Sequence, residues 1–117
     1  MQLTFVEAQR FVSDLGKART FYEGVLGLSV KRANDRYVVY HLGGCDLVVC
    51  GGATTREKRV YGQSVDTAIS FVTHDLEAVV AALAARGVPI VHQVAASAEG
   101  RLVVIQDPDG HFVEIIQ

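Results

Sequence analysis

The sequence contains no tryptophan, one methionine and two prolines, and its only cysteines are Cys45 and Cys50. These two lie five residues apart on one apolar stretch, and on an extended strand that separation exceeds the roughly 7 Å limit for a disulfide. They also lack the close spacing of zinc and redox motifs. We therefore expect both thiols to be reduced and to act as small, buried, apolar side chains.

Neither sign of charge is in large excess, since 11 lysines and arginines are balanced by 13 aspartates and glutamates, for a formal net charge of −2. The signs are mixed along the chain, so there is no basic stripe of the kind that binds phosphate backbones. No apolar run approaches the roughly 20 residues that a membrane helix requires, and the chain opens at the polar Gln2 without a signal-peptide pattern. We expect a cytoplasmic protein whose partners include neither nucleic acid nor membrane.

An internal repeat organises the chain. Half of the 117 residues are hydrophobic, enough for one domain with one sizeable core. Residues 11–15 (FVSDL) and 71–76 (FVTHDL) each precede a helix-like stretch that ends at a glycine. The steps between matching residues are 60 for Phe11 and Phe71, 61 for Asp14 and Asp75, and 60 for Gly27 and Gly87. We infer that one folding unit is used twice.

Each repeat contains one predicted helix. Asp14 and Asp75 are suited to accept hydrogen bonds from the free amides that open a helix, and Gly27 and Gly87 suit the left-handed position that closes one. Apolar residues with helical spacing lie between them. They are Leu15, Ala18, Tyr22 and Val25 or Leu26 in the first helix, and Leu76, Val79, Val80 and Leu83 in the second.

Short β-rich runs divided by turn residues follow each helix. They cover residues 36–42 and 46–50 in the first half, and 102–106 and 111–116 in the second. The last two runs are separated by Asp107-Pro108-Asp109-Gly110, which fits a type I turn between antiparallel strands. Each half is therefore predicted to be β-α-β-β-β, within one domain that comprises module one (1–52), a linker (53–63) and module two (64–117).

A single module leaves one sheet face bare, because its helix covers only the other face. Two modules can curl their sheets into a cup with the bare faces inward and the helices outside. This predicts an α+β fold with a ligand cavity inside the cup. The competing architecture is a ferredoxin-like α+β sandwich, which does not require the three-strand run after each helix.

Two segments resemble the terminal signatures of the vicinal oxygen chelate superfamily, which includes glyoxalases, bleomycin resistance proteins and extradiol dioxygenases. Residues 11–28 (FVSDLGKARTFYEGVLGL) are similar to V-x-D-x-x-x-x-x-x-F-Y-x-x-x-L-G, and residues 107–115 (DPDGHFVEI) to D-P-D-G-x-x-x-E. The pair, at opposite ends of the chain with a repeat between them, is much more specific than either alone. The resemblance covers essentially the whole chain and implies the cup-shaped fold.

The resemblance also implies a divalent metal, bound by residues of the first and last strand of each module. The corresponding positions are Glu7, Val48, Ala68 and Glu114, of which only the two glutamates carry a donor. Strand alternation directs His41 to the face expected to line the cup, so Glu7, His41 and Glu114 form the predicted metal set. The metal would be Mn, Mg, Ni, Zn or Fe, and a site without metal is equally compatible with so incomplete a set. Glu7 and Glu114 are also the candidate catalytic residues.

The remaining residues expected to face the cup give it a mixed lining that suits a modest, partly apolar organic ligand. The candidate ligand-binding residues are Gln9, Phe11, His41, Val48, Cys50, Ala68, Ser70, Val104 and Gln106. Arg10 departs from this pattern, because alternation directs it to the helix-covered face. We interpret the other histidines, His74, His92 and His111, as hydrogen-bonded or surface residues.

Three functions agree with these features. The first is a bleomycin-resistance-like protein that holds a small organic molecule, without metal, as a homodimer. The second is a metal-dependent enzyme, which by family resemblance would be a glyoxalase-like lyase, thiol transferase, epimerase or dioxygenase, with the metal acting as a Lewis acid. The third is a regulatory or accessory dimer. The incomplete ligand set favours the first, and because one fold supports many chemistries the substrate stays open.

Overall fold

The computed structural model describes residues 1–54, 58–98 and 100–117, so residues 55–57 of the predicted linker lie outside it. The chain divides into two compact units, 1–56 and 57–117. Among the described residues, neither helix combines the length and hydropathy that a bilayer crossing requires.

Each unit has the predicted β-α-β-β-β order. Module one contains β1 (Glu7–Phe11), α1 (Leu15–Arg19), which continues as a π-helical stretch (Thr20–Val25), then β2 (Val30–Ala33), β3 (Tyr37–His41) and β4 (Asp46–Cys50). Module two contains β5 (Ala68–Val72), α2 (Leu76–Ala85), β6 (His92–Val94), β7 (Leu102–Gln106) and β8 (Phe112–Ile116). The paired-module α+β architecture is therefore confirmed.

The two sheets have the same topology. Their strand orders are β1-β4-β3-β2 and β5-β8-β7-β6. The first strand of each module pairs in parallel with the last, and the other pairs are antiparallel. Two separate four-stranded sheets exclude the ferredoxin-like alternative, in which one sheet carries both helices.

The predicted helix caps are confirmed in both modules. Asp14 accepts a hydrogen bond from the Lys17 amide, and Asp75 accepts one from the Ala78 amide, each at 3.0 Å. Gly27 closes the first helix with a φ of 71°, a left-handed conformation that glycine adopts without the penalty of a Cβ atom. These local signals fix where each helix begins and ends.

The first helix contains one residue more than the second. Asp14 to Gly27 is a step of 13, and Asp75 to Gly87 a step of 12. The extra residue is absorbed where the hydrogen bonding changes from α to π, as in the bond from the Leu26 amide to the Phe21 carbonyl. A π-helical turn spans five residues per hydrogen bond instead of four, so one inserted residue fits without moving either end of the helix.

Strand register corrects one detail of the repeat. Phe11 ends β1 opposite Cys50, and the residue that ends β5 in the same way, opposite Ile116, is Val72 rather than Phe71. The structural step along the first strands is therefore 61, as it is for the capping aspartates. It follows that Arg10, not Phe11, corresponds to Phe71.

Arg10 is directed to the helix-covered face, as alternation predicts. Its side chain is 4% exposed, and its Nη1 donates to the Tyr22 hydroxyl at 2.9 Å. Tyr22 is fully buried and packs against the rings of Phe21 and Tyr40, with centroid distances of 5.0 Å and 5.9 Å. The hydrogen bond to Tyr22 thus accommodates the polar Arg10 inside the apolar core of module one.

Candidate ligand-binding site

A row of four residues crosses the sheet of module two on one face. Ser70 pairs with Glu114, Glu114 with Val104, and Val104 with His92. Residues directly opposite each other on neighbouring strands project from the same face. Glu114 is the only acid of this row, and it lies between a hydroxyl and a buried valine.

Two neutral hydroxyl groups orient the Glu114 carboxylate. The Ser70 hydroxyl donates to Oε1 at 2.5 Å, and the Tyr61 hydroxyl donates to Oε2. Both donors come from its own module, and each occupies one lone pair of a different oxygen. The carboxylate is therefore fixed in position while both oxygens keep the capacity to accept a further hydrogen bond.

Tyr61 lies in the segment that precedes β5 and packs onto the sheet face. Its ring stacks on His92, with centroids 4.9 Å apart and planes 29° apart, and meets the edge of Phe112 at 5.4 Å. The hydrogen bond to Glu114, followed by burial, raises the pKa of the Tyr61 phenol to about 12. At neutral pH this hydroxyl is protonated and acts as a donor.

An open cavity of about 370 Å³ adjoins this cluster. Its lining residues all lie in the second compact unit, 57–117. They are Tyr61, Gly62, Ser64, Asp66, Thr67, Ala68, Phe112 and Glu114. Asp66 is paired with Arg59, whose Nε lies 2.7 Å from its Oδ2. Arg59 also donates a 3.0 Å hydrogen bond to the Asp109 carbonyl. Its guanidinium group therefore contacts Asp66 and the Asp107–Gly110 turn.

The matching row in module one has different chemistry. Register places Gln9, Val48, Val39 and Arg32 where module two has Ser70, Glu114, Val104 and His92. The carboxylate is replaced by a valine that is 8% exposed. Next to this row, the Gln9 amide donates to Glu7 at 2.8 Å.

Asp46 organises the charged end of the module-one face. Its carboxylate contacts Lys31 at 2.8 Å and the His41 ring at 3.3 Å. The hydrogen bond from Lys31, with a smaller contribution from His41, lowers the pKa of Asp46 below its usual range. His41 thus directs Nδ1 at a neighbouring acid of its own module.

The chain was compared with known proteins at the level of family, sequence and structure. The family model described as the Glyoxalase/Bleomycin resistance protein/Dioxygenase superfamily matches residues 4–115. The chain belongs to this superfamily. The search of curated proteins found no match.

Several solved structures share the superfamily fold with this chain. A lactoylglutathione lyase from Agrobacterium tumefaciens superposes with a TM-score of 0.76 at 19% identity, over 97% of this chain and 92% of that one. A glyoxalase family protein from Enterococcus faecalis gives 0.79 at 20% identity, over 97% of both chains. An Agrobacterium tumefaciens protein of unknown function gives 0.77 at 25% identity, over 99% of this chain and 94% of the other.

In each module, the strand register places the candidate ligand-binding and metal-binding residues on one face of the sheet. In module one, register groups Glu7, Gln9, Phe11, His41, Val48 and Cys50 on one face; in module two it groups Ala68, Ser70, Val104, Gln106 and Glu114. Their roles stay predictions. Gln106 uses its amide to bond the Gly110 carbonyl at 3.1 Å, which ties it to the turn.

Both cysteines are free and half-buried. Burial, with a smaller contribution from Glu7, raises the pKa of the Cys50 thiol. A raised pKa keeps the thiol protonated at neutral pH and lowers its reactivity. Cys50 therefore fits a lining role better than a nucleophilic one.

The superfamily's metal chelate was tested against the side chains that are present. Across residues 1–54, 58–98 and 100–117, no group of three or more His, Cys, Asp or Glu is arranged to hold a metal ion. Ala68 supplies no donor, and the Glu114 oxygens accept bonds from hydroxyl groups. The described residues do not by themselves form the implied chelate, and the metal set of Glu7, His41 and Glu114 stays a prediction.

Sequence reasoning missed the contributions of Tyr61, His92 and Asp46. Tyr61 fell in the predicted linker, His92 was interpreted as structural, and Asp46 was counted only as part of a strand. An aromatic residue within a mostly polar linker is the one available signal, since an exposed linker gains nothing from a large ring. The contact with Glu114 depends on how that segment folds back, which no local pattern specifies.

Proposed function

We propose that this member of the superfamily binds a small, partly apolar organic molecule on the Glu114 face of the module-two sheet, without requiring a metal ion. The single observation that carries the proposal is the Glu114 carboxylate, which two hydroxyl groups orient beside a cavity of about 370 Å³. Ligand pockets typically have volumes of roughly 300–1,000 Å³ and combine apolar walls with a few placed polar groups.

The polar and apolar parts of this site are adjacent. Glu114 supplies the acceptor, while the ring of Tyr61, packed against the buried ring of Phe112, supplies apolar surface. Aromatic rings bury a large area with few rotatable bonds. A ligand with one donor group next to an apolar body would satisfy both at once.

The absence of a donor at Ala68 favours binding over metal-assisted catalysis. A catalytic metal generally requires three protein ligands and an open position. In module two, Glu114 is the only charged residue of its strand row, and its partners are Ser70 and Tyr61, whose hydroxyl groups are poor ligands for a divalent ion unless deprotonated. The raised pKa of the Tyr61 phenol opposes that deprotonation.

A metal-dependent superfamily enzyme is the second candidate. One observation favours it: glutamates occupy two of the positions that the resemblance assigns to metal ligands, Glu7 in β1 and Glu114 in β8. Water molecules would have to complete the coordination sphere, as magnesium and manganese sites permit. The named activity of the lactoylglutathione lyase belongs to that protein, and its identity with this chain supports the fold alone.

The test separates the two candidates by metal dependence. Purified protein is analysed for metal content, then screened by thermal shift against small aromatic and alicyclic molecules, once with chelator and once with Mn²⁺, Ni²⁺ or Zn²⁺. We expect stabilisation by ligand that is the same in both buffers, and weaker in Glu114→Ala. His74→Ala, an exposed residue before α2, is the control and should bind normally. Stabilisation that appears only with added metal would reject the proposal in favour of the enzyme.

We further propose a cytoplasmic homodimer, as is common for short chains of this superfamily. Light scattering at micromolar concentration measures the assembly. A mass of twice 12.6 kDa is the expected result, and a monomer would reject the dimer while leaving the ligand proposal intact.

A further inference from the structure

The module-two cavity carries one negative charge that no cation among residues 1–54, 58–98 and 100–117 balances. Two acids line it, Asp66 and Glu114. Asp66 is neutralised by Arg59 at 2.7 Å. In the part of the chain that the structure describes, Glu114 takes part in no ion pair, and its hydrogen bonds come from the neutral hydroxyls of Ser70 and Tyr61.

A half-buried carboxylate without a counter-ion favours cationic ligands over neutral ones. A charged group that is removed from water is costly unless it is paired, so a ligand that brings a cation gains more than a neutral ligand of the same shape. The pKa of the Tyr61 phenol is raised first by its hydrogen bond to Glu114, then by burial, and least by the negative charge of Glu114.

The walls of the cavity also favour a cation attached to an apolar body. Tyr61 and Phe112 line it next to Glu114, and aromatic rings attract cations electrostatically through their faces. His92 covers one face of Tyr61, which fixes the ring in place. The cavity is too small for a polymer and suits one ring with a short substituent.

We propose that the ligand of this site is a small organic amine, whose protonated amino group pairs with Glu114 while its apolar body packs beside Tyr61 and Phe112. The inference rests on the proposed function, because it names the chemical class of molecule that the same site takes. A neutral alcohol could donate one hydrogen bond to Glu114, but it would leave the charge unpaired. Anionic ligands, including carboxylates and phosphates, are expected to be excluded.

A pair of isosteric probes tests the charge directly. Benzylamine and benzyl alcohol have the same ring and differ in the group that would contact Glu114. Binding of each is measured by calorimetry or by NMR titration, in chelator-containing buffer at a pH where the amine is protonated. Both probes can donate a hydrogen bond to the carboxylate, but only the ammonium group adds an opposite charge and leaves Glu114 paired. We therefore expect benzylamine to bind about tenfold more tightly or better.

Variants assign the preference to Glu114. Glu114→Gln keeps the shape of the side chain but removes the charge and replaces one acceptor oxygen with an NH2 donor. It is expected to abolish the preference while changing the affinity for benzyl alcohol less than about threefold. Glu77→Gln is the matched control, because Glu77 lies on α2 and pairs with Arg101 at 2.5 Å. It should retain the full preference for the amine.

The outcomes distinguish this inference from the function on which it rests. Equal affinity for both probes would overturn the amine inference and leave an organic-ligand site in place. A preference that survives Glu114→Gln would overturn the assignment to Glu114. If neither probe binds at millimolar concentration, while the thermal-shift screen yields a different ligand, the inference fails alone. If that screen is also empty, both fail.

Discussion

The two modules share strand order, register and helix caps, and differ in what they place on either side of the sheet. On the face away from the helix, module two has Glu114 where module one has Val48. Glu114 contacts the Tyr61 hydroxyl and lines a cavity. The duplicated scaffold thus keeps its backbone, while the residue at this position is a carboxylate in one copy and a valine in the other.

The helix-covered faces differ in the opposite sense. Module one fills the layer with Tyr22, Tyr40 and the buried Arg10. In module two the buried residues of α2 are Leu76 and Leu83. Ala81 and Ala84 border an apolar groove of about 400 Å³ between α2 and the strands β6 and β7. Aromatic rings thus fill the helix side of module one, whereas a groove remains beside the helix of module two.

The largest expected effect is the loss of the module-one core aromatic. Tyr22→Ala removes a fully buried ring together with the acceptor of the Arg10 hydrogen bond, so we expect the free energy of unfolding to fall by about 3 to 5 kcal/mol. Val80→Ala, on the groove side of α2, should cost about 1 kcal/mol. Chemical denaturation measures both, and equal losses would contradict the difference in packing.

A glycine marks a second difference between the modules. A Cβ at Gly51 would lie 2.9 Å from the Leu15 Cβ, whereas Gln117, which follows β8 as Gly51 follows β4, uses its side chain to accept from the Leu76 amide at 2.7 Å. Gly51→Ala should therefore destabilise by about 1 to 3 kcal/mol. Gly44→Ala, where a Cβ meets nothing within 4 Å, is the control. A neutral Gly51→Ala would show that the helix start is not held closely against β4.

The third effect is on a pKa. The hydrogen bond to Glu114, followed by burial and by the charge of Glu114, raises the pKa of Tyr61 to about 12. Glu114→Gln weakens the hydrogen bond and removes the charge, so the pKa of this phenol should shift toward 10.0. Ultraviolet titration of the phenolates measures this, and Tyr61→Phe identifies the signal. Because the pKa is raised in the folded state, the stability it contributes is fully present below pH 10 and is lost as the pH rises toward 12. An unchanged titration curve would contradict the contact between Tyr61 and Glu114.

The smallest expected effect is a gain in module two. Ala84→Leu places a larger apolar side chain in the groove between α2 and the sheet, and leucine is a good helix former. We expect stabilisation of about 0.5 to 1 kcal/mol, as is common for cavity filling. Destabilisation in the same denaturation assay would show that the groove has no room for the side chain.

The sequence predicted features that are set locally. Asp14 and Asp75 cap their helices through bonds to amides three residues away, and the turn at Asp107–Gly110 closes through neighbouring backbone groups. Such features depend on a few consecutive residues, and so a pattern specifies them. Strand alternation likewise predicted the face of each candidate residue.

The features that were not predicted depend on contacts between distant segments. The bond of Tyr61 to Glu114 joins residues 53 positions apart in the sequence. Strand alternation predicted the face on which His41 lies, but it could not predict that the His41 ring pairs with Asp46. The π-helical stretch was missed although the unequal steps of 13 and 12 were visible. An inserted residue can be absorbed in a helix or a loop, and only the packing of Phe21 and Tyr22 decides which.

The account depends most on the claim that module two, through Glu114 and Tyr61, holds the ligand. NMR mapping of benzylamine binding in chelator-containing buffer tests this most directly. The account predicts that the largest shift changes fall on Tyr61, Ser70, His92, Phe112 and Glu114, and that they are lost in Glu114→Gln. Changes centred on the matching row of Gln9, Arg32, Val39 and Val48, or binding that requires added metal, would contradict it.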